Sequence, residues 1–184
     1  MEHNNPSILK TVFGMMMNPS SAIKQSLSGA KRFLSILVSG LAFGLFFLQT
    51  GLDLYKTGQK SLQFVAFLSV AGFLYGFMLI PILAFFIWII LKIAKSRDSL
   101  PQVISTFCLS YSGTLVYGLL GFIFSIALGW KTSVAFGVTG VLWAIGPMIV
   151  GIREMTNGKN GLSVSIATII SAFVLLSWSI LGNL

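Results

Sequence analysis

Residues 33–50 read FLSILVSGLAFGLFFLQT, a stretch without a single charged side chain. About 20 apolar residues in a row form a helix long enough to cross the hydrocarbon core of a bilayer. The stretch begins directly after Arg32, and charged residues return only at Asp53 and Lys56. It therefore predicts a first transmembrane helix over about residues 33–50.

The composition of the whole chain favours the same class of protein. Of the 184 residues, 55% are hydrophobic and only 9% are charged, whereas a soluble domain usually has about 25% charged residues. The apolar runs are continuous, which argues against the short alternating segments of a transmembrane barrel. We expect an all-α, polytopic membrane protein in contact with the lipid bilayer. The net charge of +8 is spread through the connections, so no nucleic-acid partner is expected.

Charged and turn residues divide the remaining chain into four further apolar runs. Together they predict a five-helix transmembrane domain over residues 33–184, with spans at about 33–50, 62–91, 103–128, 132–150 and 162–182. The main alternative is a four-span protein in which residues 132–150 form one arm of a re-entrant hairpin.

The distribution of basic residues predicts the orientation. Nine lysines and arginines lie before span one, between spans two and three, or between spans four and five, and three lie in the other connections. Cytoplasmic loops carry the excess of positive charge in membrane proteins. We therefore expect a multi-pass protein of a cell membrane with a cytoplasmic N-terminus and an external C-terminus.

Residues 1–32 form a predicted cytoplasmic, amphipathic segment ahead of the first span. In the sequence MMMNPS (15–20), Asn18 can cap a second helix that has Pro19 in its first position. Two interpretations stay open, a helical pair on the membrane surface and a pair packed under the bundle. The apolar face of the first helix contains Ile8, Leu9, Val12, Phe13 and Met16.

The predicted spans contain few side chains that could act in catalysis. All four acids (Glu2, Asp53, Asp98 and Glu154) fall in the tail or the loops, and His3 lies at the N-terminus. A serine nucleophile needs a nearby base, and a lone cysteine, Cys108, excludes disulfides and multi-cysteine metal sites. We expect no enzyme activity, no catalytic residue, no metal site and no cofactor.

Glycines spaced one helical turn apart are the clearest motif in the spans. Such spacing lets helix backbones approach closely in lipid. The predicted use is packing within one chain, and the alternative is an interface with a membrane-protein partner or a second copy. The candidate positions are Gly40, Gly44, Gly72, Gly76, Gly137 and Gly140.

Prolines and hydroxyls supply the other candidates. Pro81 and Pro147 each remove a helix hydrogen bond, and we treat them as candidate hinges. The first half of the third span is rich in hydroxyls that could line a polar path. These candidate lining residues are Ser105, Thr106, Ser110, Ser112 and Thr114.

The chain also resembles the Yip (Ypt-interacting protein) family of five-span membrane proteins, in its short bacterial form. The similar stretches are NPSSAIKQ (18–25), ISTFCLSYSGTLVYGLL (104–120) and GIREMTNGKNGLSVSIATIISAFVLL (151–176). The family pattern has a proline near the middle of the third span, and SGTLVYG (112–118) has none, so an equivalent bend is not expected. The resemblance implies a non-enzymatic membrane component that works through helix contacts. The Rab-type GTPase contacts of eukaryotic members are not implied, because the chain has almost no soluble domain.

Two functional hypotheses follow. The first is a non-catalytic scaffold or accessory subunit that acts through helix–helix contacts beside another membrane protein such as a transporter. The second is a transporter or channel subunit with a neutral path for a small solute.

Overall fold

The computed structural model describes residues 8–25 and 30–182, and every regular element within these ranges is a helix. Two π-helical turns, Tyr75–Leu79 and Ser133–Val138, interrupt the second span and open the fourth. The α-helices are α1 (Ile8–Met17), α2 (Pro19–Gln25), α3 (Ala30–Lys56), α4 (Leu62–Leu74), α5 (Ile80–Ile93), α6 (Leu100–Ser110), α7 (Ser112–Ala127), α8 (Thr139–Met155) and α9 (Asn160–Gly182).

Five helical segments in the described part of the chain are long and apolar enough to cross a membrane, so the predicted all-α polytopic class is confirmed. The segment that the four-span alternative treated as a hairpin arm is a helix of 23 residues, Ser133–Met155. At about 1.5 Å per residue this helix is long enough to span the hydrocarbon core. The five segments are Arg32–Lys56, Leu62–Ile93, Leu100–Ala127, Ser133–Met155 and Asn160–Leu181.

Helix α3 is the central helix of the bundle. Its membrane window is 61% buried, whereas that of α9 is 22% buried. Helices α4, α6 and α7 pack around α3, and the side chains of Phe43, Phe46 and Phe47 on α3 are fully buried. Because lipid is as apolar as these side chains, the close packing rather than the hydrophobic effect holds the helices together.

Glycines lie along the lines of contact between helices, and we call these lines the glycine seams. A Cβ atom at Gly76 would lie 2.7 Å from the carbonyl carbon of Ser39, and one at Gly72 would lie 2.6 Å from the carbonyl oxygen of Phe43. Gly40 and Gly44 face Phe73 on the opposite helix. The backbones of α3 and the second span therefore touch along one side.

The remaining predicted glycines lie on a second seam. The ring of Phe46 packs against Gly137, and Gly140 lies against the backbone of Thr114 on α7. All six predicted glycines are buried within this one chain, so they are packing positions. A partner in contact with the folded bundle would not reach them, and the alternative of a glycine-lined partner interface is corrected on that ground.

The two candidate hinges differ in their surroundings. Pro81 is the second residue of α5 and comes two residues after the end of the π-helical turn Tyr75–Leu79, where the wider turn accommodates a residue that has no N–H to donate. Pro147 is buried inside α8, which continues unbroken to Met155. Their action as hinges stays a prediction.

The N-terminal helices pack against the spans. Met15 on α1 and Ile23 on α2 are at most 4% exposed, and they form a cluster with Val38 on α3 and Leu109 on α6. The side-chain carbonyl of Asn18 accepts the N–H of Ser21, as predicted for a cap. Of the two interpretations of this segment, packing under the bundle agrees with the structure. Met17, by contrast, is 85% exposed at the corner between the helices.

Candidate functional site

The hydroxyl-rich half of the third span is the most polar part of the bundle interior, and the five predicted lining residues are all buried there. They lie on both sides of a break in the helix. Tyr111 leaves helical geometry at φ −81° and ψ 11°, and it separates α6 from α7.

Two serines beside this break bond back to carbonyls of their own span, and no proline is present. The hydroxyl of Ser110 donates to the carbonyl of Thr106 at 2.9 Å, and that of Ser112 donates to the carbonyl of Leu109 at 2.7 Å. Serines that bond back to carbonyls of the preceding turn commonly bend helices. The N–H of Tyr111 bonds to Cys108, three residues back, which tightens the turn. The third span is therefore interrupted at Tyr111 although it contains no proline there.

Other polar groups tie the spans to each other. Thr114 donates to the carbonyl of Gly140 at 2.9 Å, and Ser39 donates to the carbonyl of Gly76 at 2.8 Å. The amide of Gln49 donates to the carbonyl of Gly118 at 2.9 Å. Each bond joins two different spans at a glycine, where the backbones come close enough for a short side chain to reach. Such bonds satisfy polar groups that water cannot reach in lipid.

An aromatic cluster, which we call the aromatic plug, fills the space beside the break. It consists of Phe43, Phe47, Tyr75 and Tyr111, contributed by the first three spans. The ring centroids of Phe43 and Tyr111 are 4.9 Å apart, and those of Phe47 and Tyr75 are 5.5 Å apart. The hydroxyl of Tyr75 is hydrogen-bonded to Ser177 on α9.

Three hydroxyls near the break are left without partners. The side-chain oxygens of Ser105, Thr106 and Tyr111 are buried and make no hydrogen bond. The other three predicted lining residues are bonded to backbone carbonyls, as described above. The five residues therefore do not line one continuous path. Ser105 lines a small polar pocket at the end of the bundle where α3 and α6 begin.

The opposite end of the bundle has a charged arrangement that the sequence reading did not single out. The carboxylate of Asp53 accepts the N–H groups of Thr132 and Ser133, at 2.9 and 2.8 Å, and the Ser133 hydroxyl at 2.7 Å. One turn later, the ammonium of Lys56 donates to the carbonyls of Ser125 and Trp130, at 2.7 and 2.9 Å. We call this pair the double cap.

The double cap satisfies two helix ends at once. Asp53 sits at the N-terminus of span four, which carries partial positive charge, and Lys56 sits at the C-terminus of α7, which carries partial negative charge. A sequence signal existed, because an acid and a base three residues apart at the end of a span lie on one side of a helix.

Chemically, the interior supplies hydroxyls, one amide and aromatic rings. Within the described residues no cluster of three or more histidine, cysteine, aspartate or glutamate side chains could hold a metal ion. Cys108 is free and buried. Asp53 and Lys56 lie at the end of α3 and their charged groups are engaged in the double cap.

Comparisons of the chain with protein-family models, with curated proteins and with solved structures gave no match. The resemblance to the Yip family therefore stays a prediction.

Proposed function

We propose that this chain is a non-catalytic integral membrane protein that acts as a scaffold or accessory subunit through helix contacts with another membrane protein. The observation that carries the proposal is the packed interior. The aromatic plug occupies the space between the first three spans, and the glycine seams are closed by side chains and backbone of the same chain. A protein packed in this way acts through its outer surface.

The outer surface of the described residues is apolar, and most of its large exposed side chains come from α4, α5, α7 and α9. Large exposed side chains include Phe67 on α4, Phe86 on α5 and Phe173 on α9. Because lipid covers such a surface as readily as protein does, the exposure of these side chains does not by itself tell which helix face contacts a partner. The proposal therefore requires that one of these faces be covered by a second protein in the native membrane.

Photo-crosslinking in the native membrane tests this requirement. A benzoyl-phenylalanine at position 67, 86 or 173 replaces an exposed phenylalanine, so each variant should fold. We expect one position, or two that are neighbours in space, to give a discrete protein adduct, while the remaining position gives lipid adducts only. Lipid adducts at all three positions would contradict the proposal.

The accessory role includes a location. We place the protein in a cell membrane with the N-terminus in the cytoplasm and the C-terminus outside, because nine of the twelve basic residues then lie on the cytoplasmic side. The structure supports this arrangement only in its architecture of five apolar helices.

A specific observation favours a second candidate, a transporter or channel subunit for a small neutral solute. The third span is broken at Tyr111, and unpartnered hydroxyls lie at and before the break. Discontinuous helices near the middle of the bilayer form the substrate sites of many transporters. Thr106 is the informative position, because a valine there keeps the side-chain shape and removes an unpartnered hydroxyl.

Flux of a small polyol into liposomes separates the two candidates. A transporter should show protein-dependent flux that Thr106→Val reduces about tenfold, the loss expected for about one hydrogen bond to solute. Ser163→Ala is the control, because the hydroxyl of Ser163 already bonds to the carbonyl of Lys159, the residue just before α9. Flux equal to that of empty liposomes would leave the accessory role as the remaining candidate.

A further inference from the structure

A small polar pocket lies where α3 and α6 begin, at the same end of the bundle. Its walls are Arg32, Ser99, Pro101, Gln102 and Ser105, and its volume is about 170 Å³. The two pocket-forming elements are far apart in the sequence. Neither the glycine seams nor the hydroxyl pattern of the third span indicates this pocket.

The pocket has a positive electrostatic character. Arg32 contributes a positively charged guanidinium. Ser99 is the N-cap residue of α6, an eleven-residue helix whose first turn carries partial positive charge. None of the pocket-lining residues is acidic. Asp98 precedes Ser99 but does not line the pocket, and its carboxylate accepts the hydroxyl of Ser96 at 2.7 Å.

The donors that remain free in the pocket are mainly side chains. The N–H groups of Gln102 and Val103 bond to the carbonyl of Ser99, at 3.1 and 3.2 Å, and Pro101 has no N–H. The side chain of Ser99 makes no capping bond. Ser99 and Gln102 can therefore present a hydroxyl and an amide to a ligand beside Arg32.

Ser105 supplies an independent indication of a ligand. Its residue is 1% exposed, and its hydroxyl has no hydrogen-bond partner. Other buried serines of this chain, such as Ser110 and Ser163, bond to the carbonyl four residues back. Ser105 does not do so and instead lines the pocket. A buried hydroxyl without a partner costs free energy that a ligand oxygen would recover.

We propose that this pocket binds a phosphate group, held by the Arg32 guanidinium, the hydroxyls of Ser99 and Ser105, and the amide of Gln102. A guanidinium with several neutral donors suits the oxygens of phosphate, which are all acceptors. The pocket lies at the ends of two membrane spans, so the phosphate belongs either to the headgroup of an anionic phospholipid or to free phosphate in solution. This site does not depend on the proposed accessory function.

Binding to the purified full-length chain tests the site. Native mass spectrometry would count phosphatidylglycerol bound in competition with phosphatidylcholine, and thermal unfolding would be followed with and without inorganic phosphate. We expect Arg32→Gln to weaken the phosphate-dependent binding roughly tenfold to a hundredfold, the range for hydrogen bonds to charged groups. Arg153→Gln is the matched control, because Arg153 is exposed and outside the pocket.

Ser105→Ala should change stability and phosphate binding in opposite directions. Without ligand, this variant should unfold at the same or a higher temperature than the parent chain, because it removes an unpartnered buried hydroxyl. With ligand, it should bind roughly tenfold more weakly. Ser105→Ala also keeps the proposal testable if Arg32→Gln does not fold.

The two ligands identify the source of the phosphate. Variant-sensitive binding of phosphatidylglycerol that inorganic phosphate does not displace would assign a lipid headgroup. Variant-sensitive stabilisation by inorganic phosphate would assign a soluble anion. If neither ligand binds in a way that depends on Arg32 or Ser105, the proposal is overturned.

Discussion

Gly76 shows how a single residue sets the distance between two spans. An added Cβ would lie 2.7 Å from the Ser39 carbonyl carbon and 2.9 Å from the Gly40 Cα, and neither backbone atom can move aside on its own. Gly146 on α8 is the contrast, because nothing lies within 4 Å of an added Cβ there. Both glycines lie inside apolar spans, but only Gly76 is packed against the backbone of another helix.

We therefore predict opposite effects of the same substitution. Gly76→Ala should lower the free energy of unfolding by about 3 kcal/mol or more, because overpacking against backbone forces the helices apart. Gly146→Ala should leave it unchanged or raise it by about 0.5–1 kcal/mol, since alanine favours a helix over glycine. Chemical unfolding in mixed micelles measures both. Equal effects would contradict the described seam.

Two buried tyrosines make a second prediction at this scale. The hydroxyl of Tyr111 has no partner, and that of Tyr75 is bonded to Ser177. Tyr111→Phe should leave stability unchanged or raise it by about 1 kcal/mol, whereas Tyr75→Phe should lower it by a similar amount. Thermal unfolding of the two variants in parallel tests this. A clear loss of stability in Tyr111→Phe would indicate that water or a solute bonds to its hydroxyl.

At the level of elements, the double cap fixes the turn between α7 and span four. Asp53 satisfies N–H groups at the start of one span, and Lys56 satisfies carbonyls at the end of the preceding one. The first span thus extends to Lys56, six residues beyond the predicted end at residue 50. A span predicted from hydropathy stops where charged residues begin. Here the helix continues through Asp53 to Lys56, because both charged groups have hydrogen-bond partners.

Removing either charge should loosen this turn. We expect Asp53→Ala to cost about 1–3 kcal/mol of stability and Lys56→Met about 1 kcal/mol, because buried or partly buried helix-end groups lose their partners. Lys131→Met is the control, since Lys131 is an exposed lysine of the same turn. Hydrogen exchange of the amides of Thr132 and Ser133 reports the loss locally. Unchanged exchange in Asp53→Ala would contradict the capping role.

Other features at the level of elements could not be predicted from the sequence. The apolar runs predict five spans because length and hydropathy are properties of local composition. The two π-helical turns contain groups that bond to another span, the Gly76 carbonyl to Ser39 and the Ser133 N–H to Asp53. The break at Tyr111 lies between Ser110 and Ser112, whose hydroxyls bond within the third span, and hydropathy does not report such bonds. The pocket at Arg32 is of the same kind, since α3 and α6 contribute to it from distant parts of the chain.

For the whole molecule, the candidate residues separate into groups that the sequence could not distinguish. Hydropathy alone indicates that Ser105 and Ser112 lie in one span. The structure gives them different surroundings, since Ser112 bonds within its own span and Ser105 faces the pocket. Residue type predicted their burial, and only three-dimensional packing assigned their partners.

The predicted orientation can be tested on the whole protein. Cys108 is 0% exposed and should not react with maleimides, so single cysteines can be introduced into the native chain. Gln59→Cys lies in the connection after the first span, and Arg97→Cys lies in the connection after the second; both side chains are exposed. In intact cells, a membrane-impermeant maleimide should label position 59 and leave position 97 unlabelled until the cells are permeabilised. The reverse pattern would invert the orientation.

The contact between Ser20 on α2 and Glu154 on α8 joins residues that are 134 positions apart. A ribosome that adds roughly 5–20 residues per second needs about 7–27 s to make the intervening chain. During that interval α2 has no fourth span to pack against, and for much of it α1 also lacks the third span, so the nearest apolar environment is the membrane surface. We therefore expect α1 and α2 to associate with the membrane surface first and to pack against the third and fourth spans afterwards, although they are synthesised first.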